Sequence, residues 1–319
     1  MTSNNPLVSI IIPLYNAESY ISESIESVLS QTYQNIELLV INDGSTDNSF
    51  RIAKEYESDK VIIIDQQNKG ASAARNLGLQ LSKGEFVKFF DADDLMNPEM
   101  IESQVKIAIK NPDSIISGKW GRFYKSDINS FQLCREECWR NLNSITWLKL
   151  SWKNALPMTQ PGIFLLSRKV IEKAGYWDER LSLNDDMEFF TKNILAAKKV
   201  FFCDNAILYY RSGLGNLALS SLKTPKGIHS NFLSIQLSVS YFLSVTNDAE
   251  SLRLAANIWQ GFVYEAYFID KKLANAAEKT IKLLHGSDYK LPSGKVLRFL
   301  SLVLGWKLAK RIHLIFRQH

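Results

Sequence analysis

Residues 86–94 (FVKFFDADD) form the stretch on which the interpretation of this chain depends. The run is rich in strand-forming residues, is too short for a helix, and ends in three carboxylates, Asp91, Asp93 and Asp94. Like charges this close repel one another and are costly to desolvate unless a cation lies among them. The pattern therefore predicts a buried strand whose end binds Mg²⁺ or Mn²⁺, with substrate phosphates completing the coordination. The alternative is a solvated acidic loop, because an Asp-x-Asp triplet is common by chance.

Strands and helices alternate around this stretch. Buried strands are predicted at residues 7–13, 36–41, 61–64 and in the run that ends at Asp91. A helix is predicted after each strand, at residues 18–29, 46–56, 71–81 and 98–109, with Asn16 capping the first and Pro98 opening the last. Four such units in about 110 residues predict an α/β fold, a Rossmann-like, mostly parallel sheet with helices on both faces.

Polar side chains follow the predicted strands at the ends where such a sheet binds its ligands. In open parallel sheets the ligand crevice lies outside the carboxyl ends of the strands. The residues expected there are Tyr15, Asn16, Asp43, Asn68, Lys69, Asp91 and Asp93. Four strand ends meeting in one crevice are stronger evidence for a binding site than the acidic triplet alone. The chain has neither GxGxxG after the first strand nor GxxxxGK[ST], so dinucleotide and P-loop sites lack their fingerprints.

The second half of the chain is less regular. A strand is predicted at residues 114–125, then a Trp-rich irregular region through Trp152, then a loop, short strand and short helix at 157–176. Asp185 and Asp186 precede a predicted buried helix, and a strand at 200–210 ends at Arg211, followed by a loop expected to be mobile. After residue 227 only helices are predicted.

With these residues in view, the chain resembles a family 2 glycosyltransferase of the GT-A fold, of the type that builds bacterial cell-surface glycans. The resemblance lies in VSIIIPLYNAESYISESIESVLSQTYQNIELLVINDGSTDNS, NKGASAARNLGL, FFDADD, GYWDERLSLNDDMEFF and, more loosely, LYYRSG. It covers roughly residues 6–220, which implies a catalytic domain at 1–220 and a helical C-terminal region at 221–319. The last hundred residues match no family pattern.

The resemblance implies a nucleotide-sugar donor, most readily a UDP-sugar, in the strand-end crevice. Asp43 would accept a hydrogen bond from the base, and Asp91 and Asp93 would bind the ribose and the metal ion. The donor-binding residues it implies are Pro13, Tyr15, Asp43, Arg75, Asp91, Ala92 and Asp93. Asp186 would be the general base, but the family usually has Glu-Asp where this chain has Asp185-Asp186, so Asp185 is the alternative.

The expected chemistry agrees with these residue types. A cation stabilises the charge of a diphosphate leaving group, and one carboxylate takes the proton of the acceptor hydroxyl. A retaining double displacement needs a further nucleophilic carboxylate, for which the sequence offers no separate candidate. We therefore predict an inverting, metal-dependent hexosyltransferase that acts on a glycan or lipid-linked acceptor.

Three alternatives stay open at the level of sequence. Asp43 could be a turn residue, Arg75 part of a surface ion pair, and the pair Asp185-Asp186 a helix cap. A nucleotidyltransferase would also need a metal and a parallel sheet, but it ordinarily has a glycine-rich segment after the first strand. A catalytically inactive sugar-nucleotide-binding scaffold is the third alternative, and the presence of both Asp-x-Asp and Asp186 argues against it.

The composition is that of an ordinary globular protein, with 46% hydrophobic and 22% charged residues. Three cysteines without a CxxC spacing favour a reducing, cytoplasmic location over a disulfide framework, and no signal peptide or membrane span is expected. Residues 294–319 contain six basic residues and no acidic ones, which leaves the rest of the chain at a net charge of about −1. Nucleic acid is therefore not an expected partner. The basic segment could contact an anionic membrane at the cytoplasmic face of the inner membrane, although its apolar residues appear on nearly all sides of a single helical wheel.

Overall fold

The computed structural model describes residues 5–124, 126–155, 159–213, 224–291 and 295–317. The strands in these ranges are β1 (Val8–Leu14), β2 (Ile36–Asp43), β3 (Val61–Gln66), β4 (Phe86–Phe89), β5 (Leu95–Met96), β6 (Ile115–Tyr124), β7 (Asp127–Leu133), β8 (Leu142–Asn143), β9 (Leu165–Ser167) and β10 (Lys199–Ser212). The helices are α1 (Ile21–Leu29), α2 (Ser49–Lys54), α3 (Ala71–Leu81), α4 (Met100–Ala108), α5 (Ser144–Trp152), α6 (Arg168–Ala174), α7 (Asp185–Ala196), α8 (Pro225–Val245), α9 (Ala249–Ala266), α10 (Lys271–Leu283), α11 (Lys295–Leu304) and α12 (Trp306–Arg317).

One mixed sheet contains all the strands, and its main order is β3-β2-β1-β4-β9-β6-β10-β5. The first four strands pair in parallel, and β6 pairs in parallel with β10. Strand β9 is antiparallel to both β4 and β6, so β4 and β6 point the same way. The carboxyl ends of β1, β2, β3, β4, β6 and β10 consequently lie on one edge, which confirms the predicted mostly parallel α/β architecture.

The central strands have apolar residues on both faces because helices cover both sides of the sheet. Every residue of β2 and of β4 is buried, and β1 is buried except at Pro13. Helix α3 covers the range predicted for it. Two predictions of helix starts were wrong. Helix α1 begins at Ile21 without a side-chain cap, because the Asn16 Oδ1 accepts a hydrogen bond from the Thr46 N–H instead, and α4 begins at Met100, after Pro98.

The region expected to be irregular up to Trp152 contains β7, β8 and α5. Two of its tryptophans are core residues: Trp147 packs edge-on against Phe164, and Trp152 packs against Phe242 of α8. The loop predicted after Arg211 falls mostly on residues 214–223, outside the described ranges. All three cysteines are free, as the sequence predicted.

The C-terminal basic segment forms two helices, α11 and α12, rather than one. Gly305 separates them with φ +75°, a left-handed conformation that ends a helix readily. A single helical wheel therefore does not describe the distribution of apolar residues in this segment, because each of the two helices has its own orientation. Large apolar side chains lie exposed on both helices, namely Phe299, Val303, Leu304 and Leu308. Among the described residues, no helix has both the length and the hydrophobicity to cross a membrane.

Candidate active site

The polar residues predicted at the strand ends do lie along one edge of the sheet. Tyr15 follows β1 and is 47% exposed, whereas Asp43 at the end of β2 is buried. Both oxygens of the Asp43 carboxylate accept hydrogen bonds from the segment after β3: Oδ1 from the Lys69 N–H at 2.8 Å and Oδ2 from the Gly70 N–H at 2.8 Å. The Gln66 amide also donates to Oδ1, at 2.7 Å. Asp43 therefore joins the ends of two strands and is more than a turn residue.

The acidic motif lies directly after β4. Asp91 is partly exposed, Ala92 is buried, and Asp94 is buried almost completely. Burial, followed by the charge of Asp91, raises the pKa of Asp93 to about 7. Burial also raises the pKa of Asp94 well above its usual range, with Asp93 and Asp91 adding to the effect. Such mutual repulsion is what a bound cation would relieve.

Arg211, at the end of β10, forms hydrogen bonds with this motif. Its side chain is fully buried between the rings of Tyr20 and Phe123. Its Nε donates to the Asp93 carbonyl at 2.7 Å, and its backbone N–H donates to the Asp94 carboxylate at 2.9 Å. The acidic motif is thus hydrogen-bonded to the end of β10, with Asp94 buried there and Asp91 more accessible.

Arg75 of α3 connects the acidic motif to the start of α7. Its Nη2 lies 2.9 Å from Asp91 Oδ1, and its Nη1 lies 2.8 Å from Asp185 Oδ2. The guanidinium is buried and stacks on the Trp177 ring, 4.5 Å from the ring centroid. A surface ion pair, one alternative from the sequence, is therefore wrong. The contact of Arg75 with the nucleotide stays a prediction.

Asp185 and Asp186 are neighbours at the start of α7 but have different surroundings. Asp185 receives a 2.9 Å hydrogen bond from the Ser72 hydroxyl in addition to its ion pair with Arg75. Asp186 has no ion pair within the described ranges and accepts from the Thr159 hydroxyl at 3.1 Å and from the Met187 N–H at 2.9 Å. Burial, with the neighbouring charge of Asp185 second, raises the pKa of Asp186 to about 7. A carboxylate with that pKa can accept a proton near neutral pH.

The donor set at the end of β4 suits a hard cation that a substrate helps to bind. Among the described residues, no group of three or more His, Cys, Asp or Glu side chains could hold a metal without other ligands. Asp91 and Asp93 supply carboxylate oxygens, and Mg²⁺ commonly uses one or two carboxylates together with substrate phosphates. The residues present therefore fit a metal whose remaining ligands come from a diphosphate.

Sequence reasoning missed three further residues, two that contact the site and one in the strand that leads to the acidic motif. Thr159 carried no signal, because a lone threonine in a loop is not a motif. Lys88 lies inside a strand, fully buried, and donates to the carbonyls of Gly162 and Phe164 at 2.6 and 3.0 Å. Trp177 lies in the motif GYWDERL, so the sequence marked it as a bulky residue of a segment that precedes the acidic pair. Its stacking on Arg75 is visible only in the structure.

Comparison with known proteins identifies similar sequences. Residues 9–175 match the sequence profile of Glycosyl transferase family 2. The glycosyltransferase GlyG of Streptococcus pneumoniae is 31% identical over 216 residues, which is 64% of this chain and 71% of GlyG. An uncharacterized glycosyltransferase of Rickettsia typhi is 33% identical over 235 residues, covering 72% of each chain.

Solved structures with a similar fold include residues 1–349 of Staphylococcus aureus TarS. The complex of TarS with UDP superimposes with a TM-score of 0.61 over 95% of this chain and 80% of TarS, at 18% identity. The complex with UDP-GlcNAc gives a TM-score of 0.63 over 87% of this chain and 89% of TarS, also at 18% identity. At this identity the likeness establishes a shared GT-A fold.

Proposed function

Because the chain belongs to glycosyl transferase family 2 and is therefore a glycosyltransferase, we propose that it transfers a sugar from a UDP-sugar to a hydroxyl group with inversion. The acceptor in this proposal is a glycan or a lipid-linked glycan of a bacterial cell surface. Asp186 is the general base, and the strand-end crevice holds the donor. The UDP-sugar assignment draws support from the TarS complexes with UDP and UDP-GlcNAc, which share the fold.

The observation that carries the proposal is the different pairing of Asp185 and Asp186. Asp185 forms an ion pair with Arg75 and accepts a hydrogen bond from Ser72, so that carboxylate is held against α3. Asp186 lacks such a partner among the described residues, and its pKa of about 7 suits proton transfer from a hydroxyl. This pattern favours Asp186 over Asp185 as the residue that deprotonates the acceptor.

The geometry also supports transfer near the acidic motif. A single guanidinium, that of Arg75, spans the gap between Asp91 and Asp185, so the base and the motif lie on neighbouring sides of one site. Asp91 and Asp93 would hold a Mn²⁺ or Mg²⁺ ion, which supplies charge stabilisation for the diphosphate leaving group. Asp43, Pro13 and Tyr15 would line the nucleoside end of the crevice.

The set of carboxylates supports the proposal of inversion. A double displacement needs a nucleophilic carboxylate on the face opposite the leaving group. Asp185 is ion-paired, and Asp94 is buried and bonded to the Arg211 N–H, so neither is available as that nucleophile. A single displacement, with Asp186 taking the proton of the acceptor, is the reaction that these residues support.

We also propose that residues 1–220 form the catalytic domain and that residues 221–319 support it. Exposed apolar residues on α11 and α12, within a segment that has six basic and no acidic residues, suit contact with an anionic membrane surface. This contact would locate the enzyme at the cytoplasmic face of the inner membrane. Sedimentation with anionic vesicles tests it: deletion of residues 294–319 is expected to abolish co-sedimentation, and unchanged binding would exclude the contact.

A thermal-shift panel tests the donor assignment. The wild type and Asp93→Ala are heated with UDP-, dTDP- and GDP-sugars, each with and without Mn²⁺. A ligand at 100 times its dissociation constant stabilises the native state by about 2.7 kcal/mol, which is readily measured. We expect stabilisation by UDP-sugars that needs both Mn²⁺ and Asp93.

Turnover separates the remaining alternatives. Release of UDP from the stabilising donor supports the transferase, and NMR of the product anomer decides between inversion and retention. Donor binding without turnover, across a panel of glycoside acceptors, would favour an inactive scaffold. Release of pyrophosphate from a nucleoside triphosphate and a sugar phosphate would indicate a nucleotidyltransferase instead.

A further inference from the structure

Helix α8 holds the backbone immediately before the proposed base. The Ser230 hydroxyl accepts hydrogen bonds from the N–H groups of Ser182 and Leu183, at 2.8 and 2.9 Å, and donates to the Leu183 carbonyl at 2.8 Å. One turn later, the Ser234 hydroxyl donates to the Asn184 carbonyl at 2.5 Å. Four backbone groups of residues 182–184 thus find their partners on one face of α8.

Asn184 needs this support because of its backbone conformation. It is the N-cap residue of α7 and has φ 60° and ψ 29°, a left-handed conformation that non-glycine residues adopt at a cost. Its side-chain amide donates to Asn231 Oδ1 at 2.9 Å, and Asn231 in turn donates to Glu265 of α9 at 3.1 Å. Side chain and carbonyl of Asn184 are therefore both tied to α8.

We propose that Ser230, Asn231 and Ser234 are positioning residues that aim Asp186 at the acceptor hydroxyl. The inference rests on the proposed function, in which Asp186 is the base. It assigns a positioning role to α8, which lies outside the residues 9–175 that match the family profile. The helix contributes no reacting group and acts through the backbone of residues 182–184.

The physical argument is one of geometry at the start of a helix. Asp185 and Asp186 are the first two residues of α7, so the conformation of Asn184 sets the direction in which both side chains leave the backbone. Asp185 is also held by Arg75 and Ser72, whereas Asp186 has only Thr159 and its own helix N-terminus. Loosening residues 182–184 would therefore displace Asp186 more than Asp185. A displacement of about 1 Å at a reacting group can lower a rate about 100-fold.

Helix α8 offers a matched control on the same face. Ser238 lies one turn beyond Ser234 and is equally buried, yet its hydroxyl has no hydrogen-bond partner among the described residues. Ser238→Ala thus makes the same chemical change in the same helix without removing a hydrogen bond to residues 182–184. We expect Ser238→Ala to match the wild type in turnover.

The experiment compares Ser230→Ala/Ser234→Ala with Ser238→Ala and wild type, using UDP release from UDP-glucose, UDP-galactose and UDP-N-acetylglucosamine with Mn²⁺. The double variant is expected to lose about 10- to 100-fold in kcat, with little change in the donor KM and with its acid limb in the pH profile displaced. Ser230→Thr, which retains the hydroxyl, should recover most of the loss. If the double variant does not fold, the single variant Ser234→Ala is used.

Two results would overturn the proposal. The first is a double variant that has the kcat per folded molecule and the pH profile of Ser238→Ala and differs only in a lower Tm. That result would mean that the two serines have a purely structural role. The other is unchanged hydrogen exchange at the amides of Ser182 and Leu183, which would mean that Ser230 does not hold them. Hydrogen exchange needs no turnover, so it decides the contact even if the wild type proves inactive and the proposed function itself fails.

Discussion

Nη1 of Arg75 lies 2.8 Å from Oδ2 of Asp185, and this ion pair distinguishes two aspartates that are adjacent in the chain. The same guanidinium reaches Asp91 at 2.9 Å, so α3 connects the acidic motif after β4 to the start of α7. Burial and the charge of Asp185 raise the pKa of Asp186, whereas Asp185 itself is paired with Arg75, so the two neighbours have different surroundings. The following predictions concern this pair of aspartates, the acidic motif and the buried Lys88.

Asp186→Asn should lower kcat by about 10²- to 10⁴-fold and raise the Tm at pH 8. The native pKa of about 7 lies above the ordinary 3.8, so the stability that this group contributes is present below pH 4 and is lost as pH rises through 7. At pH 8 the wild type therefore bears the cost of a buried charge, which Asn removes. Differential scanning calorimetry at pH 8 measures this.

Asp185→Asn is the matched control, and its effect on stability should have the opposite sign. It leaves the buried Arg75 with one carboxylate partner, Asp91, instead of two, at a cost of about 3 kcal/mol. A higher Tm for Asp185→Asn than for Asp186→Asn at pH 8 would contradict the assignment of the two roles.

The dependence of kcat on pH should show an acid limb near pH 7, because Asp186 must be ionised to take the proton. The hydrogen bond from Thr159 lowers the pKa of Asp186, so Thr159→Val should move this limb to higher pH. Thr159→Ser keeps the hydroxyl and should leave the limb in place. Initial rates at saturating donor and Mn²⁺ give the dependence of kcat on pH. An acid limb at the same pH in Thr159→Val and wild type would count against Asp186 as the base.

Binding of Mn²⁺ should weaken as pH falls from 8 to 6. Burial and the charge of Asp91 raise the pKa of Asp93, so protons compete with the metal for its carboxylate in this range. Isothermal titration with Mn²⁺ in the presence of UDP measures the affinity at each pH. Asp93→Asn should bind Mn²⁺ at least about tenfold more weakly and lose most of the pH dependence. An affinity that does not change with pH would place the metal away from Asp93.

Lys88→Met should lose stability chiefly at alkaline pH. Burial lowers the pKa of Lys88 to about 7 from 10.5, so the native state holds fewer protons than the unfolded state between these values, and wild-type stability rises with pH across that range. Lys88→Met lacks this rise and leaves the carbonyls of Gly162 and Phe164 without their donor, at a cost of about 1–3 kcal/mol.

Urea unfolding at pH 7 and pH 9.5 gives the comparison for Lys88. Val87→Ala, in the same strand and equally buried, serves as the control, because its cost should be the same at both pH values. Equal losses for Lys88→Met at the two pH values would show that Lys88 stays charged in the native state throughout the range.

Much of the fold was predictable because local patterns carried it. Residues 7–13, 36–41 and 61–64 are short apolar runs between turn residues, and each is a strand in the structure, within two residues at either end. Helix ends were less predictable. Asn16 could cap a helix or bond to a neighbouring loop, and its use by the Thr46 N–H was decided by the packing of that loop.

The candidate site also contains both residues that could be predicted from the sequence and residues that could not. Asp43, Asp91 and Asp93 could be predicted because they follow strands that a parallel sheet brings to one edge. The roles of Thr159, Lys88 and Ser230 could not, since each acts on a residue far from it in sequence: Thr159 on Asp186, Lys88 on Gly162 and Ser230 on Leu183. Their residue types are common in loops, strands and helices without such roles.

The sequence by itself determined the alternation of strands and helices and the edge of the sheet at which the polar strand-end residues lie. Hydrophobic periodicity and turn residues act over a few residues, so these features can be read locally. Only the tertiary structure decided that Arg75 is buried between Asp91 and Asp185, and that Asp186 has no such partner within the described chain. The ionisation of a carboxylate depends on burial and on charges within a few ångströms, and folding brings those charges from distant parts of the chain.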